Sequence, residues 1–305
     1  MSSSRIVSVF GATGLQGSAV VEALLKDGTF TPRAISRNPE SDASLKLKAR
    51  GVEVVKGDSG DKPSLVDALR GSEAVFAVTV PAFTDSTGAT PDELTQGTNM
   101  VDAAKEVGVK FFIFSSLPSI TKLSGGKYQN VVHYEDKAAV EEYLKSSGLP
   151  NASLLLGGFL EGYWRSHLLH KTATGFDFGV PSFTATDREA FTWVERDVPA
   201  AALALLKNYT DQSKNISGKS YPVVTTLSYT ELVAKTAKVL GAEVTFTTKP
   251  DFGLLPVDEM FAAHAEYSGL YTAEPEPNPA LVALGVNLGT IDEFLQTEVK
   301  PRFGQ

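Results

Sequence analysis

Apolar residues along the first half of the chain switch repeatedly between two periods. Arg5 to Phe10 (RIVSVF) is β-branched and apolar, and a Gly-rich turn follows it. Leu15 to Lys26 then runs at helical spacing, with Val20, Val21, Leu24 and Leu25 on one face. The same reading predicts strands at Arg33–Ser36, Val52–Val55, Ala74–Val80, Lys110–Phe114 and Ala152–Leu156. Between them it predicts helices around Ser44–Arg50, Leu65–Leu69, Pro91–Val107 and Val132–Lys145. Leu94, Met100, Val101 and Ala104 form the expected apolar stripe of the Pro91–Val107 helix. Short apolar strands alternating with helices imply parallel β-α-β units buried on both faces, wound by right-handed crossovers into a doubly wound sheet.

The second half is less regular. Phe159–Lys171 reads as helical, and Gly175–Thr192 as loops with short strands. Arg196–Lys207 is an Ala/Leu helix expected to pack back on the first half. A strand is expected at Tyr221–Val224, and Ser228 with Glu231 forms a capping box opening a helix to Leu240. Val244–Thr247 reads as a strand, Glu274–Pro279 as irregular, and Thr290–Thr297 as a short closing helix. With 305 residues, the chain is near the upper limit for one core. The division expected is an α/β domain over 1–156 and a smaller α+β lobe over 157–305.

Composition narrows the function classes. A net charge of −8 without any basic run argues against direct nucleic-acid binding. The lack of cysteine excludes disulfides, thiolate metal sites and a cysteine nucleophile. Met1 to Arg5 shows no signal-peptide anatomy, and no apolar run is long enough to span a bilayer. The cytosol is the expected compartment, with the nucleus also open to it. His167 and His170 stand three apart but have no third ligand nearby, so no metal site is expected. No GxSxG elbow is present.

Gly11-Ala12-Thr13-Gly14-Leu15-Gln16-Gly17 carries the strongest chemical signal, because it closes a strand and opens a helix. Gly11 permits the tight turn, Gly14 lets the backbone approach a pyrophosphate, and Gly17 lets the helix pack closely on the sheet. Thr13, Leu15 and Gln16 complete the expected phosphate contacts, since the helix N-terminus offers free N–H groups and partial positive charge. This is a Rossmann-type arrangement for a nicotinamide dinucleotide. Dinucleotide domains selective for the unphosphorylated form end their second strand in Asp or Glu. Here Ser36-Arg37-Asn38 stands at that position, so Arg37 is expected to pair with a 2′-phosphate and the cofactor to be NADP(H). Asp58 reads equally as an acceptor for the adenine amino group or as a turn residue.

Together these residues resemble the NmrA-like branch of the atypical short-chain dehydrogenases/reductases. The resemblance rests on the glycine motif, Ser36-Arg37, Gly57-Asp58, Phe112-Ile113-Phe114-Ser115-Ser116, the segment His133–Pro150, Gly157-Gly158-Phe159 and Glu195-Arg196-Asp197-Val198. It implies a cofactor lying across the C-terminal edges of the strands, with Thr79 and Val80 beside it and Gly157 to Phe159 near the nicotinamide. Ser115 and Ser116 close the fifth strand, where the superfamily keeps an active-site serine, and either reads equally as a turn residue. Ordinary members use a Tyr four residues before a Lys, which binds the nicotinamide ribose and lowers the Tyr pKa. Lys137 is present, but His133 stands where the Tyr belongs, and Tyr134 is one position off, about 100° around the helix. Two readings follow. In one, His133 or a water donates the proton and the protein is an NADPH-dependent reductase of a small carbonyl, quinone or enone. In the other it binds NADP(H) without turnover, as a redox sensor acting through a protein partner. The segment Leu117–Lys127 reads as a long polar loop on the substrate side, and Phe159, Tyr163 and Trp164 as pocket or core.

Overall fold

The computed structural model describes residues 5–82, 90–271 and 275–304. Met1 to Ser4, and Glu274 at the head of the proline-dense stretch, lie outside the described residues. The alternation expected for the first half is present as β1 (Ile6–Val9), α1 (Leu15–Asp27), β2 (Thr31–Ser36), α2 (Asp42–Ala49), β3 (Glu53–Lys56), α3 (Lys62–Leu69) and β4 (Ala74–Ala77). It continues with α4 (Glu93–Glu106), β5 (Phe111–Ser116), a short α5 (Ile120–Leu123), α6 (Val132–Ser146) and β6 (Asn151–Leu156). The seventh strand of this sheet comes from further along the chain. It is β11 (Lys219–Val223), so the main sheet draws on both sides of residue 156. The spatial order is β11-β6-β5-β4-β1-β2-β3, and every pairing is parallel.

Two apolar layers sandwich the sheet. On one face Val20, Val21 and Leu24 of α1 meet Val198, Ala201 and Leu205 of α8 (Val194–Asn208) over Val7, Val9 and Ile113. On the other, Leu65, Leu69, Met100, Val101 and Leu144 cover Val75, Ala77, Phe112 and Phe114. The chain therefore has the Rossmann-type, doubly wound architecture that its alternating pattern implies.

Within α4 the buried face is Glu93, Gln96, Gly97, Met100, Val101, Ala103 and Ala104, whereas Leu94 is 40% exposed. The apolar stripe expected to include Leu94 is thus rotated, and polar residues of the first turn face inward. Gly97 makes this possible: a Cβ there would lie 2.4 Å from Val140, so α4 and α6 approach closely only without one.

The second half carries β7 (Gly158–Phe159), α7 (Gly162–Arg165), β8 (Leu169–Lys171), β9 (Gly175–Pro181) and β10 (Arg188–Thr192) before α8. After β11 come β12 (Thr225–Ser228), α9 (Tyr229–Leu240), β13 (Glu243–Lys249) and α10 (Leu255–Glu266). Two three-stranded sheets form, β12-β10-β7 and β13-β9-β8. The helix expected over Phe159–Lys171 is largely absent. His167 adopts a positive φ of 53° that ends the helical turn, and the chain then pairs with β9 as strand. The two histidines consequently do not share a helix face. Gly175–Thr192 is more regular than expected, because Phe176, Phe178 and Val180 alternate into the second-lobe core. Leu117–Lys127 contains α5, whose start is tied down by Ser119 and Thr121 against Glu135. The closing helix extends past Thr297 to Phe303 through a π-turn. Among the described residues, no helix is long and apolar enough to cross a membrane.

Candidate functional site

The glycine turn begins where β1 ends. Gly11 has φ +62°, and a Cβ on it would lie 2.7 Å from the Val78 side chain. A Cβ on Gly17 would fall 2.2 Å from the Gly11 carbonyl oxygen, so α1 can start this close to the strand only with glycine there. Gly14 is the N-cap of α1 and supplies no side chain to its first N–H groups, those of Leu15, Gln16 and Gly17. Thr13 and Gly14 are exposed. Gln16 carries a buried amide oxygen with no hydrogen-bond partner.

The other residues expected to meet the dinucleotide follow the C-terminal ends of neighbouring strands. Arg37 projects exposed beyond β2. Asp58, after β3, accepts a hydrogen bond from the Gly60 N–H at 2.9 Å, so one of its oxygens serves the turn. After β4, Thr79 is buried while Val80 is 48% exposed. The buried Gln96 side chain clamps both sides of this segment, accepting from the Val80 N–H at 3.0 Å and donating to the Val80 and Pro91 carbonyls at 2.7 and 2.8 Å.

Lys137 crosses from α6 toward the end of β4. Its ammonium donates to the Thr79 hydroxyl at 2.7 Å and to the Thr79 carbonyl at 3.2 Å, and it is ion-paired with Glu93 of α4. The Thr79 hydroxyl donates to the same Glu93 oxygen. Burial pushes the Lys137 pKa down, and the Glu93 charge opposes that shift. Glu93 was not among the residues expected from sequence, because an acid in a helix's first turn ordinarily needs no partner beyond the helix dipole.

A cavity of about 500 Å³ opens beside Lys137, between the main sheet and the second lobe. It brings together Leu15, Gln16, Ser115, His133, Lys137, Gly157 and Phe159 from the sequence-derived set. Gly11, Thr13, Gly14, Arg37, Asp58, Thr79 and Val80 lie outside it, along the strand ends. Gly157 fits because a Cβ there would sit 2.1 Å from the Ala190 carbonyl oxygen. Tyr163 is core, and its hydroxyl bonds Thr236 at 2.8 Å. Trp164 stacks on Phe294.

His133 faces the cavity with Nε2 3.4 Å from the Met260 sulfur. Burial, reinforced by the Lys137 charge, lowers its pKa to about 4. Both causes disfavour the imidazolium form of His133.

Three further polar residues stand in the cavity wall, of which His264 and Glu189 have no signature in the local sequence. Tyr134, His264 of α10 and Glu189 of β10 all line it and are all buried. Glu161, also lining the cavity and fully buried, is another carboxyl group that spacing does not flag. One of its oxygens accepts from the Glu195 N–H at 2.8 Å, capping the start of α8, and the other has no hydrogen-bond partner. Burial raises this carboxyl to about 7. Among the described residues, no group of three or more His, Cys, Asp and Glu is placed to hold a metal ion.

The model of the NmrA-like family matches residues 3–293 of the chain. The protein belongs to the NmrA-like family. An NmrA-like family domain-containing oxidoreductase of Aspergillus hancockii is 38% identical over 143 residues, covering 47% of this chain and 42% of that protein. The matches span about half the length of the curated relatives or less. NmrA itself, a negative transcriptional regulator solved in complex with NADP, superposes with a TM-score of 0.77 at 20% identity, covering 98% of this chain and 97% of that one. An NADPH-dependent quinone oxidoreductase from Escherichia coli, solved with NADPH, gives 0.71 at 24% identity over 95% and 98% of the two chains. At such identities the likeness to the NmrA-like solved structures is one of fold.

Proposed function

We propose that this NmrA-like protein is an NADPH-dependent oxidoreductase that reduces a small carbonyl, quinone or enone. One observation carries the reading: a cavity of about 500 Å³ lies directly beside Lys137 and the N-terminus of α1, large enough for a small acceptor next to a dinucleotide. The cavity shares Leu15, Gln16, Lys137, Gly157 and Phe159 with the expected dinucleotide site and continues past them to Phe191, Tyr229, Phe252 and Phe261, on the side left for an acceptor. Relatives named as oxidoreductases support the assignment.

The residues present fit the cofactor. The turn tolerates no side chain at Gly11 or Gly17, α1 begins without a side-chain cap, and the Gln16 amide oxygen awaits a donor. In this reading the amides of Leu15 to Gly17, with Gly11, Thr13 and Gly14, hold the diphosphate, and Arg37 pairs with the 2′-phosphate. Asp58 faces the adenine. Thr79, Val80 and Lys137 border the nicotinamide ribose, and Ser115, Gly157 and Phe159 border the ring. When bound, the reduced dinucleotide supplies a hydride. Residues 1–156 chiefly serve the dinucleotide and 157–305 the acceptor.

Lys137, held by Thr79 and Glu93, orients the ribose and keeps a positive charge near the reacting centre. The mostly apolar cavity excludes water around the acceptor. The test is calorimetric titration with NADPH and NADH, followed by NADPH oxidation with aldehyde, quinone and enone panels. Binding that favours NADPH, with turnover of at least one acceptor, is the expected result. Tight NADPH binding with no turnover would overturn the enzymatic reading in favour of a dinucleotide sensor that works through a protein partner.

A further inference from the structure

Three polar side chains from separate elements form one hydrogen-bonded chain in the cavity wall. The Tyr134 hydroxyl on α6 lies 2.7 Å from His264 Nε2 on α10. His264 Nδ1 lies 3.0 Å from both carboxylate oxygens of Glu189 on β10. The Ala190 N–H steadies that carboxylate with a 2.8 Å bond. Tyr134, His264 and Glu189 are 5%, 5% and 4% exposed, so each depends on the others to offset its desolvation. An apolar trio would fill the same space without that cost, so packing alone does not account for a phenol, an imidazole and a carboxylate in series.

Their order has a chemical consequence. A carboxylate accepts only, so it fixes the Nδ1 proton of His264 toward Glu189 and leaves Nε2 facing Tyr134, where it donates when His264 is doubly protonated against the Glu189 charge. Tyr134 and His264 both border the cavity that holds Lys137.

Resting on the oxidoreductase reading, we propose that Tyr134 is the catalytic proton donor to the reduced substrate and that His264 and Glu189 resupply its proton. The acceptor carbon takes hydride from the reduced dinucleotide, and the C=O π pair moves onto oxygen. That oxygen takes the phenolic proton of Tyr134, and the doubly protonated His264 passes its Nε2 proton to the tyrosyl oxygen, becoming a neutral imidazole that keeps Nδ1–H on Glu189. Nε2 is then reprotonated from water. One hydride and one proton are added, and C=O becomes CH–OH. Burial pushes the Tyr134 phenol far above its ordinary range, so a free phenolate is not a resting point and the two proton transfers are coupled. His133 is the weaker donor, because burial and the Lys137 charge favour its neutral form, which gives up a proton only by becoming an anion.

The experiment compares wild type with Tyr134→Phe, His264→Gln and Glu189→Gln, using NADPH and an aldehyde acceptor. Tyr143→Phe serves as control, since that phenol bonds Asp102 at the surface. Tyr134→Phe is expected to lower kcat about 100-fold while NADPH affinity stays within about twofold. Wild type is expected to turn over more slowly in D2O, and Tyr134→Phe to lose that solvent isotope effect. Independently of turnover, proton NMR of the ligand-free protein should show a protected imidazole N–H that disappears in His264→Gln and moves in Glu189→Gln. A wild type that oxidises NADPH while Tyr134→Phe keeps its rate or its isotope effect overturns the relay alone. A wild type that turns over no acceptor overturns the oxidoreductase reading, and the relay's catalytic role with it.

Discussion

Lys137 and Glu93 meet as a buried ion pair between α6 and α4, with the Thr79 hydroxyl bonded to both. Glu93 is 1% exposed and Lys137 8%. Removing one member leaves the other charge uncompensated in a dry setting, which costs about 3–5 kcal/mol. Glu93→Gln should therefore lower stability by about that amount in denaturant titration. Replacing both, as Glu93→Leu with Lys137→Met, should cost less than Glu93→Gln alone. If the double variant is the less stable of the two, the pair contributes by attraction rather than by mutual neutralisation.

Glycines 14 and 17 should separate binding from folding. A Cβ on Gly17 collides with backbone at 2.2 Å, whereas one on Gly14 reaches only 3.3 Å from the Gly11 oxygen. Gly17→Ala is expected to unfold or fail to accumulate. Gly14→Ala should fold with a nearly unchanged melting midpoint but bind NADPH weakly, because its methyl group occupies space needed by the diphosphate. Full NADPH affinity in Gly14→Ala would contradict the placement of the diphosphate there.

Arg37 stands exposed beyond β2 with no carboxylate at the strand end. A charge-assisted bond to a phosphate contributes about 1.5–3 kcal/mol. Arg37→Ala should thus lower NADPH affinity about 10- to 100-fold and leave NADH affinity nearly unchanged. Calorimetry with both dinucleotides reads the difference directly, and an equal loss for both would remove Arg37 from the 2′-phosphate site.

Glu161 predicts a pH dependence of known sign. Its carboxyl is raised from 4.5 to about 7 by burial, so the folded protein holds this proton through a range in which the unfolded chain has released it. The stabilisation is fully present below pH 4.5 and is lost as pH rises through about 7. Glu161→Gln should match wild type near pH 5 and exceed it at pH 8 by on the order of 2–3 kcal/mol, since the amide keeps the bond from Glu195 N–H and never ionises. Parallel stability curves for the two proteins at all pH values would rule this out.

The main sheet was legible because strands buried on both faces are continuous apolar runs, as in Phe111–Ser116, where every residue is buried. The glycine turn was legible for a related reason: its constraints are local. What escaped is what depends on distance along the chain. Tyr134 and His264 are 130 residues apart, and His264 and Glu189 are 75 apart. No spacing rule connects such positions. The helix α10, which carries His264, has no side-chain cap at its start and gave no periodic signal. Leu94 misled for the opposite reason, since a polar face that buries Glu93 and Gln96 looks like an ordinary solvated surface in sequence.

The return of the chain at β11 ties the cleft to the main sheet twice. Residues Lys219 to Val223 lie in register beside Ala152 to Leu156, so the segment that builds the far wall of the cleft leaves from one strand and is moored again on its immediate neighbour. That span is fastened at both ends to adjacent rungs of one ladder, while Phe252, Met260 and His264, which complete the wall, lie beyond the second fastening. Separating the two lobes by cutting between β6 and β11 would therefore strip the sheet of an edge as well as the cleft of a wall.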